Sequence, residues 1–173
     1  MRDPPSSDFR RRSELWRDES ARRVREGKQE TGNFYLVIRL HSGYCVLLKT
    51  AESDGLDAQY LAFFDQFNHQ HFYEAHEVLE VLWLPARQTP DGAFYQGLIQ
   101  VAAAFVHLQK DRFRPAVRLL KLARTNLNPY PERHSHLDVQ RLRELIQRWL
   151  ATLEDGRFNP LRFGPPPRLE LLR

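Results

Sequence analysis

The chain has 173 residues, 42% hydrophobic and 28% charged, the balance of one folded domain with tails and too short for two full-size domains. Cys45 is the single cysteine, which excludes an intramolecular disulfide and a Cys-rich zinc site and suits a reducing compartment. No apolar run approaches the roughly 20 residues that cross a bilayer, and the Arg-rich N-terminus lacks the apolar stretch of a secretory signal. A cytoplasmic protein with no membrane partner is expected.

Residues 1–33 are dominated by charge, with Arg10-Arg11-Arg12 and Arg22-Arg23-Val24-Arg25 and few apolar anchors, so disorder is the default there. Residues 34–40 and 44–49 are β-prone runs around His41-Ser42-Gly43 and read as a hairpin within 34–50. A helical domain then spans about 55–155. Its first helix covers about 57–68, with Tyr60, Leu61, Phe63, Phe64 and Phe67 as apolar positions, and Asn68-His69-Gln70 ends it. The second runs from about His71 to Ala86. Thr89-Pro90-Asp91-Gly92 reads as a cap with proline in the first turn, opening a third helix over about 91–109.

Between Gly92 and Gln109 this third helix has no Lys, Arg, Asp or Glu, as expected of a helix buried on nearly all sides. The fourth, about 112–127, places Val117, Leu120 and Leu127 inward and Arg114, Arg118, Lys121 and Arg124 toward water. Asn128-Pro129-Tyr130-Pro131 stops it. Ser135, with Asp138 three residues on, resembles a capping box that opens a fifth helix to about Glu154. A Pro-rich tail, 156–173, follows and is expected to be extended and flexible. The fold class predicted is all-α, a compact bundle of about five helices with a short β-hairpin and flexible tails outside it.

Charge divides along the chain. Residues 52–91 hold eight acids against one base, Arg87, whereas 110–150 hold ten Lys/Arg against four acids. Such a split suits complementary faces within one fold or between copies, so a homo-oligomer is one expectation; solvated helix faces explain it as well. The basic stripe on the fourth helix lacks the interleaved aromatics of a nucleic-acid surface, which makes that partner unlikely on sequence grounds.

Chemistry concentrates in the second helix. His76, Glu80 and Trp83 fall at i, i+4 and i+7 and project from one face. In the third helix Gln96, Gln100 and His107 lie along one stripe with Ala103 and Ala104 between them. Short loops make the two helices antiparallel neighbours, which points the stripe toward His76 and Glu80. One reading is a metal site of His76, Glu80 and His107 for zinc, iron or manganese, or an acid/base pair in which His76, Glu77 and Glu80 are the catalytic candidates. Trp83 and Tyr73 would then wall the site, and Gln96 and Gln100 orient a ligand. The competing reading is a non-enzymatic helical interaction module whose His/Glu/Trp motif is a buried, satisfied polar network. His76-Glu77 starts like the H-E-x-x-H metalloprotease helix, but Glu80 stands where the second histidine belongs. His134 and His136 read as solvated loop residues.

Phe67-Asn68, then Phe72-Tyr73-Glu74-Ala75-His76-Glu77-Val78-Leu79-Glu80 with Trp83, then Gln96-Gly97-Leu98-Ile99-Gln100-Val101-Ala102, with Asp138-Val139 closing, resembles the domain-of-unknown-function family 309 over about 57–153. The resemblance implies a small all-α bundle marked by H-x-x-x-E-x-x-W, here His76, Glu80 and Trp83, a pattern suggested to bind metal without an established activity. Asp111-Arg112 and Pro115 depart from the family's Gly-Asn turn and later glycine.

Overall fold

The computed structural model describes residues 25–27, 34–39, 45–50, 56–154 and 158–172. The chain divides into two compact units, Met1–Ala51 and Glu52–Arg173. In the first, β1 (Arg25–Gly27), β2 (Phe34–Arg39) and β3 (Cys45–Thr50) form an antiparallel sheet in the order β1-β2-β3. The expected hairpin is present, with Phe34 opposite Thr50 and Arg39 opposite Cys45. The difference is β1, which lies in the stretch expected to be disordered and adds a third strand, Arg25 opposite Val37 and Gly27 opposite Tyr35. The rest of residues 1–33 falls outside the described residues.

The second unit is mostly α-helical: α1 (Ala58–Asn68), α2 (Phe72–Ala86), α3 (Gly92–Gln109), α4 (Phe113–Leu127), α5 (Val139–Glu154) and a single turn, α6 (Pro160–Phe163). A two-residue-stranded hairpin, β4 (Arg133–His134) with β5 (Leu137–Asp138), precedes α5. Among the described residues no helix is long and apolar enough to cross a membrane.

The core is aromatic. Phe105 of α3 is fully buried and meets Phe67, Phe72 and Trp149 at ring-centroid distances of 5.6, 5.1 and 4.8 Å, so one ring joins α1, α2, α3 and α5. The Phe72–Phe105 contact and the bond from Gln109 Nε2 to the Gln70 carbonyl, 2.9 Å, fix α2 antiparallel to α3. Asn126 Nδ2 donates to Gln100 Oε1 at 2.9 Å, and a Cβ added at Gly97 would come within 2.8 Å of Leu127 Cγ. α4 therefore also runs antiparallel to α3, and closely; glycine at 97 is what lets α4 approach. On α4, Ala116, Leu120, Ala123 and Leu127 are buried, as the 3.6-residue period requires of an amphipathic helix.

Local capping differs from the expectation at two places. Ser135 and His136 occupy the left-handed region, with φ of 47° and 58°, and form the tight turn of the β4–β5 hairpin. The cap of α5 is Asp138, whose Oδ1 accepts from the Arg141 amide at 2.9 Å. Thr89 does not cap α3; its hydroxyl donates to the Ala86 carbonyl at the end of α2. At the other end of α4, Arg143 of α5 donates to the carbonyls of Leu127 and Tyr130, a cation set on helix-terminal acceptors.

The C-terminal tail is extended as expected but not loose. Asn68 Nδ2 donates to the Leu169 carbonyl and Asn68 Oδ1 accepts from the Leu169 amide, both at 2.8 Å. Leu169 is buried, Leu171 bridges Leu137, and the Leu172 amide donates to the His136 carbonyl. Asn159, also buried, donates to the Leu108 carbonyl and to Asp111 and caps α6. Two amide side chains, both at the end of the bundle where α1 and α3 terminate, thus strap residues 158–172 to it. Residues 155–157 lie outside the described ones.

Candidate functional site

On α2 the buried residues Phe72, Ala75, Val78 and Leu79 mark the side turned to the core. His76, Glu80 and Trp83 lie on one flank of that side and are all half-buried. On α3 the stripe Gln96, Gln100, Ala103 and His107 is half-buried along its whole length. It runs on the side of α3 between the two antiparallel neighbours, α2 and α4. Helical periodicity turns the His76 flank of α2 and the Asn126 flank of α4 toward this same side. The site is thus a half-buried polar band with α3 as its floor.

The sequence missed Asn126. Gln100 is held by that residue of α4, and no local pattern announces a partner 26 positions away. Glu77 departs from the candidate arrangement as well. It follows His76 by about 100° around the helix, is 6% exposed, and hydrogen-bonds Tyr73. Its charge nevertheless acts on His76, second to that of Glu80. The Tyr73 ring stacks on the His76 imidazole, centroids 6.3 Å apart at 23°. Burial, then the charge and hydrogen bond of Glu77, raise the Tyr73 hydroxyl above its ordinary value.

His76 carries the main electrostatic anomaly. Burial pushes its imidazole below the ordinary 6.5, and Glu80 and Glu77 oppose that without reversing it. Its Nδ1 is fully buried and has no hydrogen-bond partner among the described residues. His107 shares both features: Nδ1 is buried without a partner among the described residues, and burial, then Arg112 and Lys110, lower its pKa. The two histidines do not meet at one centre. With Phe72 level with Phe105 and Gln70 level with Gln109, the position of α3 level with His76 is near Ala102, five residues or roughly 7 Å along the axis from His107. The charges that act on His107 are bases, and those that act on His76 are acids.

Among the described residues no group of three or more His, Cys, Asp or Glu comes together that could hold a metal ion. His76, Glu80 and His107 are therefore not assembled as a three-donor centre, because the helix register carries His107 past the end of the pair. His76 and Glu80 alone do not fit a closed protein-built site.

His134, expected to be a solvated loop residue, sits against Phe94 and Tyr130 with ring centroids 4.7 and 4.9 Å away, and its Nε2 lies 2.9 Å from Asp91 Oδ1. Asp91 was expected to take part in the start of α3; the structure gives its carboxylate this pairing and no capping hydrogen bond. Tyr130 reinforces the join, its hydroxyl donating to the Pro90 carbonyl and accepting from the Phe94 amide.

Residues 60–119, from the start of α1 into α4, match the family model described as domain of unknown function (DUF309). The chain carries a DUF309 domain. No curated protein matches the chain. Several of the signature residues of this DUF309 domain have packing roles here. Phe67 and Phe72 fill the core, Asn68 holds the tail, and Gly97 admits α4. His76 and Glu80 are the ones that packing does not explain.

The lowered histidines set a pH dependence. An unfolded chain takes up a proton at each ordinary histidine value, near 6.5, while the folded chain resists until lower pH. The unfolded state therefore binds more protons in that window, and stability falls as pH drops. The melting temperature should be level above about pH 7.5 and decline between about pH 7 and 5.5. In His76→Gln that decline should be shallower; an equal slope in the variant would refute the assignment.

Proposed function

We propose that the DUF309 domain of this chain is an acid–base site of the hydrolase type, in which a neutral His76 accepts a proton from a small polar substrate or its attacking water. The single observation that carries this reading is the buried, unpartnered Nδ1 of His76 beside Glu80. A structural polar network requires each buried polar atom to be satisfied, since an orphan costs about 1–3 kcal/mol. Among the described residues that requirement is unmet at both histidines of the band, which favours a site over a network.

Each side chain then has a task. Burial keeps His76 unprotonated near neutral pH, the state a general base needs. Its second nitrogen, Nε2, is on a half-buried side chain and is not among the sealed, unpartnered atoms. Glu80 one turn on stabilises the imidazolium that forms when the proton arrives. Gln96 and the Gln100–Asn126 pair present amide groups along the floor, and Trp83 gives the band an apolar wall.

The test is turnover. The full chain and His76→Gln are assayed against a panel of chromogenic esters, amides and phosphoesters. Activity in the wild type that falls at least 100-fold in the variant supports the reading, because general base catalysis contributes about 10² to 10⁴. Activity equal in both proteins would overturn it.

A further inference from the structure

The objection to a nucleic-acid surface on α4 was the absence of aromatics beside its basic row. The fold supplies them from elsewhere. Arg114 and Arg118 lie one turn apart along the solvent side of α4, and Lys121 continues the track to about 10 Å with its ammonium paired to Glu154 of α5. Arg112 extends it at the start of the helix. At that end the tail brings in α6, anchored by Asn159 on Asp111 and by Arg162, whose Nη2 lies 2.5 Å from Asp111 Oδ2. Hydrogen bonds from Arg162 and Asn159 hold the Asp111 carboxyl down at about 2, so the anchor stays charged and occupies Arg162.

Phe158 and Phe163 flank this anchor, 48% and 79% exposed, with ring centroids 6.1 Å apart at 76°. Phe163 is the most exposed of the large hydrophobics among the described residues. Two phenyl rings open to water at the end of a row of cations are the two components that bind unpaired nucleic acid: stacking faces for bases and charges for phosphates. We propose that the outer face of α4, with Phe158 and Phe163, binds single-stranded nucleic acid, independently of the His76 site.

Two features favour this ligand over an anionic membrane. Insertion of a basic helix at a lipid surface needs an apolar face beside the charges, and that face of α4 is already in the core through Ala116, Leu120, Ala123 and Leu127. The exposed rings, moreover, are a single pair rather than a band. Duplex nucleic acid keeps its bases stacked on one another and leaves the rings nothing to stack on.

Fluorescence anisotropy of the full chain with a labelled single strand of about 12 nucleotides tests the proposal. With about three phosphate contacts, from Arg112, Arg114 and Arg118, affinity should fall roughly 20-fold between about 50 and 200 mM salt. Phe163→Ala and Arg118→Glu, both at exposed positions, should each weaken binding roughly tenfold while the helical circular dichroism is unchanged. A duplex of equal length should bind more weakly than the single strand. Binding that survives both substitutions, a preference for duplex, or sedimentation with phosphatidylserine vesicles without oligonucleotide binding would each overturn the proposal.

Discussion

Replacing Phe105 with alanine is expected to destabilise the helical unit by about 3–5 kcal/mol, the range for removing a large aromatic from a packed core. Phe105 is fully buried, and its ring touches residues of three other helices: Phe67 of α1, Phe72 of α2 and Trp149 of α5. None of these neighbours can close the space without moving its own helix, so the cavity term adds to the lost transfer energy. A small domain has about 5–15 kcal/mol in total, so the loss is a large share of it. Urea unfolding followed by circular dichroism measures the effect as a lower midpoint. A change under about 1 kcal/mol would mean that the four helices are not joined through this ring.

Replacing His76 with glutamine is expected to have the opposite profile, a large functional loss with little change in stability. Glutamine keeps a polar side chain of similar reach but cannot accept and return a proton near neutral pH. Among the described residues the imidazole Nδ1 makes no hydrogen bond that the variant would lose. We therefore expect turnover to fall by about 10² or more and the unfolding free energy to move by less than about 1 kcal/mol. The interaction-module reading makes the reverse prediction, with stability lost through orphaned groups and no activity to lose. Glu80→Ala separates the two in the same assay. As the partner of the charged imidazole, Glu80 should affect turnover more than folding.

Helix positions were readable because their ends are chemically punctuated. Asn68-His69-Gln70, Thr89-Pro90, Asp111-Arg112 and Asn128-Pro129 each interrupt the 3.6-residue pattern, and observed and expected helix limits there agree to about a residue. The near-absence of charge in α3 likewise announced its central position. What escaped were contacts between residues distant in sequence. Asn68 meets Leu169 across 101 positions, His134 meets Asp91 across 43, and Asn126 meets Gln100 across 26. An amide or imidazole in a loop has the same local signature whether solvated or docked, and the register of two helices decides between them. For the same reason the His76, Glu80 and Trp83 face was visible in the spacing. The separation of His107 from it depended on how α2 and α3 align. Ser135 shows a related ambiguity: spacing to Asp138 suited a capping box, but the left-handed backbone at Ser135 and His136 makes a hairpin turn instead.

The central claim is that burial holds the His76 imidazole neutral while Glu80 is the main charge acting on it. The most direct measurement is a pH titration of the His76 ring by nuclear magnetic resonance in the wild type and in Glu80→Gln. The account predicts a midpoint below 6.5 in the wild type and a lower one still in Glu80→Gln, because the carboxylate that favours the charged ring is gone. A midpoint at or above 6.5, or one that does not move when Glu80 is neutralised, would contradict it.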